Sequence, residues 1–467
     1  MRSHALSLAS HARRFIAHGS GSRVLSGFMT VAMLTVVAKG VSFLKDATVA
    51  QHFGTADSLD AFMLAFTFLA FGATVLGGGL PEAFLPTYAS LKHRTTPSRA
   101  NRFGVQAGLI QLGCLVLAAG LTWTLAPSII HGTTTGFSPE KQALATRLLR
   151  QLTPFLVFFG LSHQLAIWLR ADKRFAVSSA APMLVPAGII LALVWAGPDA
   201  TVDHLVMGTV WGAAAHLLLL MISLRRVIHQ DQAVPRRVFH LWEPSIQGMI
   251  RRAGPFLMAG VVFSSAVVVD QAMAAWLEPG SVAVLSYTEK ICSIILALTA
   301  GPACDVLFPY FSEAAAKEDW TGLKRQLLQS AGLIVGAALP AMLGLLLFAP
   351  WVVQILFERG EFGADDTDRV ARVLRFAALQ IPFYILGGLL SRVIVSLSAS
   401  RFILGMSVTA LGLNIAFNAF FMQFMGAAGI ALSTVCVHFL VSLTGGVYVF
   451  RLIHQRVAAS EKGATNA

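Results

Sequence analysis

Apolar stretches of roughly 20 residues recur along the whole chain with short polar connections between them, and a helix needs about that length to cross the hydrocarbon of a bilayer. They fall near 26–45, 61–88, 104–127, 149–169, 176–197, 204–223, 253–277, 282–312, 327–357, 373–397, 403–423 and 426–450. None shows the alternating ten-residue pattern of a membrane barrel strand. Each therefore predicts a helix that satisfies its own backbone groups in lipid. The first twenty-odd residues carry Arg2, Arg13 and Arg14 and lack a sustained apolar core, so we expect a cytoplasmic tail there and no cleavable signal.

Composition agrees with the pattern: 56% of residues are hydrophobic and 12% charged, with a mean hydropathy of +0.70, too apolar for a water-soluble domain. The distribution of basic residues predicts the orientation. Alternate connections are rich in Lys and Arg, for example Lys92, Arg94, Arg99 and Arg102, then Arg170, Lys173 and Arg174, then Arg225, Arg226, Arg251 and Arg252. The opposite connections hold Asp57, Asp199, Asp203, Glu278 and the acidic stretch from Glu358 to Asp368. We read both termini as cytoplasmic, in a multi-pass membrane protein. The net charge of +12 is then mostly topogenic charge facing anionic lipid, and no nucleic-acid partner is expected. The four cysteines lie inside spans without metal-binding spacing.

The chain also repeats itself. LLRQLTPFLVFFGLSHQLAIWLRADKRF, from Leu148, lines up with VLRFAALQIPFYILGGLLSRVIVSLSASRF, from Val373; PEAFLPTYAS at Pro81 lines up with ACDVLFPYFSE at Ala303, and LAPSIIHG at Leu125 with FAPWVVQILFERG at Phe348. The offset is roughly 220 to 230 residues in each case, so six spans separate the copies and the repeats share one membrane orientation. The predicted architecture is all-α, with about 12 transmembrane helices in two pseudo-symmetric six-helix lobes around a central cavity. The boundaries are a tail at 1–25, an N-lobe at 26–224, a basic cytoplasmic linker at 225–252, a C-lobe at 253–452 and a tail at 453–467.

The blocks VVAKGVSFLKDATVAQHFGTADSLDAFMLAF, PEAFLP, SYTEKICSIILALTAGPACDVLFPYFSE, ILFERGEF followed by Asp365 and Thr367, NIAFN and GAAGIALST occur in this order. Together they resemble the MurJ/MviN lipid flippases of the multidrug/oligosaccharidyl-lipid/polysaccharide exporter superfamily. The resemblance implies a V-shaped pair of lobes working by alternating access. It would carry a polyprenyl-diphosphate-linked glycan, typically the peptidoglycan precursor lipid II, from the inner to the outer leaflet. Where that family places arginines in its cavity, this chain has Lys39, Lys45 and Lys290; Ala73 and its neighbours offer no charge on the second span, and Ser293 stands where the family has an acid. The resemblance gives lipid II flippases two further C-terminal helices, and we expect no counterpart of them after the span at 426–450. Two other readings stay open, a flippase for an exopolysaccharide or O-antigen unit and a cation-coupled multidrug exporter.

A diphosphate headgroup can cross hydrocarbon only where protein cations and water replace its hydration. Lys39, Lys45 and Lys290 are the diphosphate-binding candidates; Lys45 could instead snorkel or pair with nearby acids. Asp46 and Asp60 flank the first outer loop, where they orient Lys45 and cap the second helix, or act in the cavity. Glu289 reads the sugar or pairs with another helix, and Glu82 and Asp305, at equivalent places of the repeat, gate the inner mouth or are interfacial charges. Asp270 lies inside the seventh span, Asn414 and Asn418 one turn apart on the eleventh, and Thr434 on the twelfth. Such oxygen groups suit Na+, and a lone Asp suits H+; the alternative is plain helix-to-helix hydrogen bonding. Gly77, Gly78 and Gly79, and Gly387 with Gly388 after Pro382, are bending points or sites of close packing. No cofactor is expected beyond a coupling Na+, H+ or the membrane potential. The absence of a phosphate loop, HExxH or nucleophile constellation argues against an enzyme. The sequence leaves the oligomeric state open.

Overall fold

The computed structural model describes residues 19–230, 244–397 and 399–465. Of the expected tails and linker, 1–18 and 231–243 lie outside these described residues. The chain runs as α1 (Gly19–Phe53), α2 (Asp57–Arg94), α3 (Pro97–Thr133), α4 (Pro139–Ala171), α5 (Phe175–Ala180), α6 (Leu184–Ala196), α7 (Val202–Gln230), α8 (Pro244–Ala274), α9 (Ser281–Ala316), α10 (Trp320–Phe357), α11 (Ala364–Ala378), α12 (Gln380–Ser396), α13 (Ser400–Met425) and α14 (Ala427–Thr465). Ten segments among the described residues are long and apolar enough to cross a membrane. The only β pairing among them is an isolated bridge between Arg359 and Phe362. This is an all-α, multi-pass membrane protein. Its large apolar side chains point outward, Trp195 at 77%, Leu333 at 76% and Phe424 at 73% exposure, an arrangement only lipid can stabilise.

Prolines lie inside several of the helices, and one of these helices is kinked. α2 carries Pro81 and Pro86, and α10 carries Pro340 and Pro350, with Phe348 leaving helical geometry at φ −109°, ψ 16° two residues before Pro350. A missing N–H and a ring pressed against the preceding turn account for such kinks. The glycines expected to bend α2 and α12 do not interrupt them. The break between α11 and α12 falls at Leu379, just before Pro382. Gly77 and Gly79 instead let helices approach: a Cβ on Gly77 would sit 3.2 Å from the Gly160 Cα, and one on Gly79 would collide with Leu257.

The chain packs as two compact units. The first comprises Met1–Thr48, Gly72–Trp123 and Gln151–Leu257. Its core joins Phe84, Tyr88, Phe103, Trp168, Ile246 and Met249, with Phe84 stacked on Phe103 at 5.5 Å between centroids. At one end of that core the Tyr88 hydroxyl donates to Asp172 at 3.3 Å, and Lys92 forms an ion pair with the same carboxylate. The second unit comprises Val49–Phe71, Thr124–Arg150 and Met258–Ala467. Within it α13 and α12 pack on α14, α9 on α12, and α10 on α11. The end of α1 with the start of α2, and the end of α3 with the start of α4, therefore belong with the later half of the chain.

Candidate functional site

In the first unit, Lys39 is exposed on α1 and makes no side-chain hydrogen bond or ion pair among the described residues. Lys45, one and a half turns on, forms an ion pair with the buried Asp46. Glu82 is exposed just after Pro81. In the second unit, Lys290 is half-buried on α9, also without an ion pair or side-chain hydrogen bond among the described residues. Its neighbour Glu289 accepts from Gln271 Nε2 at 3.5 Å, and the same amide nitrogen donates to Ser286 Oγ at 3.1 Å, which ties α8 to α9. The backbone of Asp305 lies in α9, but its side chain lies outside the described residues.

The structure brings Asp270, Asn414, Asn418 and Thr434 together. Asn414 and Asn418 both donate to Asp270 Oδ1, at 3.1 and 2.6 Å, and Thr434 donates to Oδ2 at 3.4 Å. The four come from α8, α13 and α14, and Asp270 is 7% exposed. The spacing of four residues puts both asparagines on one face of α13. Their two amide oxygens are buried without a partner among the described residues, and orphaned acceptors beside a carboxylate are costly unless a cation joins them. Turning the amides would aim those oxygens at Asp270, which a bound cation, or a proton on the carboxyl, would make favourable. The donor set is all oxygen and suits a small hard ion.

A second constellation gathers at the connections read as outward-facing. Asp60 is 1% exposed. Its Oδ2 accepts from Lys141 Nζ at 3.0 Å and Gly280 N at 2.6 Å, and its Oδ1 from Ala283 N at 2.8 Å. It therefore caps the start of α9, not α2 as expected from its position: the two backbone N–H groups at the N-terminus of a 36-residue helix offer it more than its own first turn does. Lys141 also reaches Asp57 at 2.6 Å and lies 4.1 Å above the centre of the Phe137 ring.

Around this centre the loops interlock. Glu361 N donates to Gln51 O at 2.9 Å, Tyr287 Oη to Gly54 O at 3.1 Å, and Trp276 Nε1 to Thr133 O at 2.8 Å. Thr55 donates to Asp366, and Arg369 donates to Thr55 Oγ1 at 3.3 Å and Pro279 O at 2.6 Å. Gly54 and Gly360 take left-handed φ values of +51° and +59°, and a Cβ on either would press into the facing loop, against Glu361 O and Gln51 O respectively. These contacts form a latch that joins the connections after α1, α3, α8 and α10.

Sequence reasoning missed Lys141 and Arg369, although a signal was present. An alternation of basic and acidic connections passes over cations on the acidic side, and each such residue needs a local reason to be there.

A family description, "Lipid II flippase MurJ", matches residues 49–465. The probable lipid II flippase MurJ of Rickettsia prowazekii is 22% identical over 410 residues, covering 86% of this chain and 79% of that protein. The lipid II flippase MurJ of Burkholderia cenocepacia is 24% identical over 365 residues, covering 74% and 68%. Among solved structures, lipid II flippase MurJ in an inward closed conformation superposes with a TM-score of 0.77 at 20% identity, covering 90% of this chain and 87% of that one. An inward-facing multidrug resistance transporter of the MATE family superposes with a TM-score of 0.79 at 16% identity, covering 92% and 99%. At such identities these two superpositions show the shared fold and nothing about cargo.

Proposed function

Because the chain belongs to the MurJ family, whose pattern runs through residues 49–465, we propose that it is a lipid II flippase of the bacterial inner membrane, moving a polyprenyl-diphosphate-linked glycan from the inner to the outer leaflet for peptidoglycan synthesis. That match carries the reading. The intramembrane cations agree with it. Lys39 and Lys290 lie within apolar helices and make no ion pair or side-chain hydrogen bond among the described residues, and cations within spans are retained where cargo or ions need them. A diphosphate supplies the missing anion. A lysine ammonium can follow it as a point charge, whereas an arginine fork would hold it bidentately and release it more slowly.

Transport by alternating access needs a state closed to the outside, and the Asp60 latch supplies one. While Asp60 caps α9 and holds Lys141, the outward connections stay joined and cargo enters from the inner leaflet. Release requires those contacts to break. A cation at Asp270, Asn414, Asn418 and Thr434 would supply positive charge that neutralises the buried carboxylate. The residues themselves would then hold α8, α13 and α14 in one arrangement, so ion binding could favour one state of the cycle. Na+ fits the donor set best, both termini face the cytoplasm in this reading, and no chemical conversion of the cargo occurs.

The test is depletion of the protein followed by mass spectrometry of extracted lipids and a leaflet-specific assay. Lipid II accumulating in the inner leaflet supports the proposal. Accumulation of a different glycan lipid, or of none, overturns it.

A further inference from the structure

We propose that the outward end of the second unit holds a binding site for the phosphate of a membrane lipid, distinct from the cargo lysines. The site is a cavity of about 590 Å3 walled by α11, the connection between α8 and α9, and the turn from α13 into α14. Arg369, Arg372, Ser281 and Gln423, whose Nε2 also donates to Ala419 O at 2.9 Å, provide its donors and Glu278 its single acid, which leaves the wall net basic.

Several cations lie on the side read as outward. Membrane insertion disfavours Lys and Arg there, and those present differ in what they meet, Arg375 being exposed outside the cavity. Lys141 is neutralised by Asp57 and Asp60. Arg359 donates to the last carbonyls of α10, Ile355 O at 3.0 Å and Leu356 O at 2.5 Å. Arg369 is held by Thr55 and Pro279 O and still borders the cavity. Arg372 is exposed, lines the cavity, and makes no hydrogen bond or ion pair among the described residues, not even with Glu278 across the same space. Its guanidinium presents an unused fork suited to a phosphate.

The opposite wall adds to the attraction. Gly426, at φ +56°, turns the chain so that Ala427 and Ala428 in the first turn of α14 border the cavity. The leading N–H groups of a helix cannot bond within it, and they carry the positive end of its dipole. Two arginines, an amide and a helix start thus converge on one volume large enough for a lipid headgroup.

A lipid is favoured over a soluble anion because of what surrounds the mouth. Phe424 lines the cavity at 73% exposure, and Phe420, one turn earlier on α13, is 58% exposed. Only 11% of the most apolar stretch of α13 is buried, the lowest share of the ten spans. A phosphate seated against Arg372 would therefore leave its acyl chains along the lipid-facing side of α13. Placement in the outer leaflet rests on the orientation read from the basic connections; the binding itself does not.

The test is native mass spectrometry of the full-length chain in detergent. It is titrated with phosphatidylglycerol or with a diglucosyl diacylglycerol that lacks phosphate, each with and without inorganic phosphate as competitor. We expect preferential retention of phosphatidylglycerol, weakened about tenfold by Arg372→Ala, the loss of one charge-assisted contact. Arg372→Gln and Gln423→Leu should weaken it in the same direction and serve if the alanine variant folds poorly. Arg375→Ala, an exposed arginine on the same helix outside the cavity, should leave it unchanged. Equal retention of the phosphate-free lipid, equal effects of Arg372→Ala and Arg375→Ala, or no effect of Arg372→Ala would overturn the proposal. Displacement of the lipid by millimolar inorganic phosphate would identify a soluble-anion site and overturn the lipid assignment. None of these outcomes involves transport, so failure here leaves the flippase reading standing.

Discussion

Replacing Asp60 by alanine should open the outward latch without unfolding the protein. The carboxylate accepts from Lys141, Gly280 and Ala283, and its removal strands a lysine whose side chain is 8% exposed with only Asp57, itself 58% exposed, for a counter-charge. Breaking a buried pair in this way costs about 3 to 5 kcal/mol, the largest part of it the penalty on the charge left behind. At 1.4 kcal/mol per tenfold, even about 3 kcal/mol raises the unlatched fraction roughly a hundredfold. The reporter is Leu59→Cys, since Leu59 is 0% exposed beside Asp60, placed in a chain whose four native cysteines are replaced by alanine. The rate of its modification by a membrane-impermeant maleimide tracks the unlatched fraction when opening is fast. Asp60→Asn keeps an acceptor for α9 and loses the charge, so its effect should be intermediate, roughly tenfold. A second reporter, Ala83→Cys in the core of the first unit, also 0% exposed, should not respond. If Asp60→Ala leaves the Leu59→Cys rate unchanged, or raises both rates equally, the cluster is not a latch and the reasoning fails.

The remaining predictions concern the cargo lysines and the latch loops. Lys39→Ala and Lys290→Ala should each abolish lipid II transport in a vesicle or complementation assay while membrane abundance stays normal; normal transport by both would remove the diphosphate role. Gly360→Ala forces a side chain into left-handed geometry against Gln51 O. The geometry alone costs about 1 to 2 kcal/mol, so modification of Leu59→Cys should speed up about tenfold. Gly363→Ala, with open space around it, is the matched control and should change nothing.

The parts of this molecule that were legible in its sequence are those governed by local rules. Span length and hydropathy depend on neighbours in the chain, and the helices follow them. The grouping of Asp270 with Asn414, Asn418 and Thr434 was legible too, because polar residues in apolar helices stand out and a spacing of four puts both asparagines on one face. The latch was not, because its partners are far apart in sequence: Asp60 meets Lys141 at a separation of 81 residues and Gly280 at 220. No periodicity encodes such pairings. Asp60 looked like a cap for its own helix because an acid in a first turn usually is one, yet the ends of two helices competed for it. The triple glycine at 77–79 was ambiguous for a related reason. Glycine weakens a helix and also permits close approach, and only the facing Gly160 and Leu257 decide which use is made of it.

The candidate ion site and the latch lie on the same helical hairpin, which gives a physical route for a gradient to bias transport. Asp270 is four residues from the end of α8 at Ala274, about 6 Å along the helix. The next residue, Gln271, bonds Ser286 and Glu289 on α9, and the start of that helix is what Asp60 caps. A cation that fixes Asp270 against α13 and α14 therefore also restrains the helix start that the latch must hold. Linkage makes this reciprocal: if Na+ favours the latched state by some factor, latching raises the affinity for Na+ by the same factor. Sodium should then slow the modification of Leu59→Cys in the otherwise intact chain and raise its melting temperature, with potassium inactive in both. Asp270→Asn should abolish both effects, while Asp60→Ala should weaken sodium binding although it touches no ion ligand. Sodium binding that is indifferent to Asp60→Ala would show that the two sites are independent, and the hairpin would then be structural only.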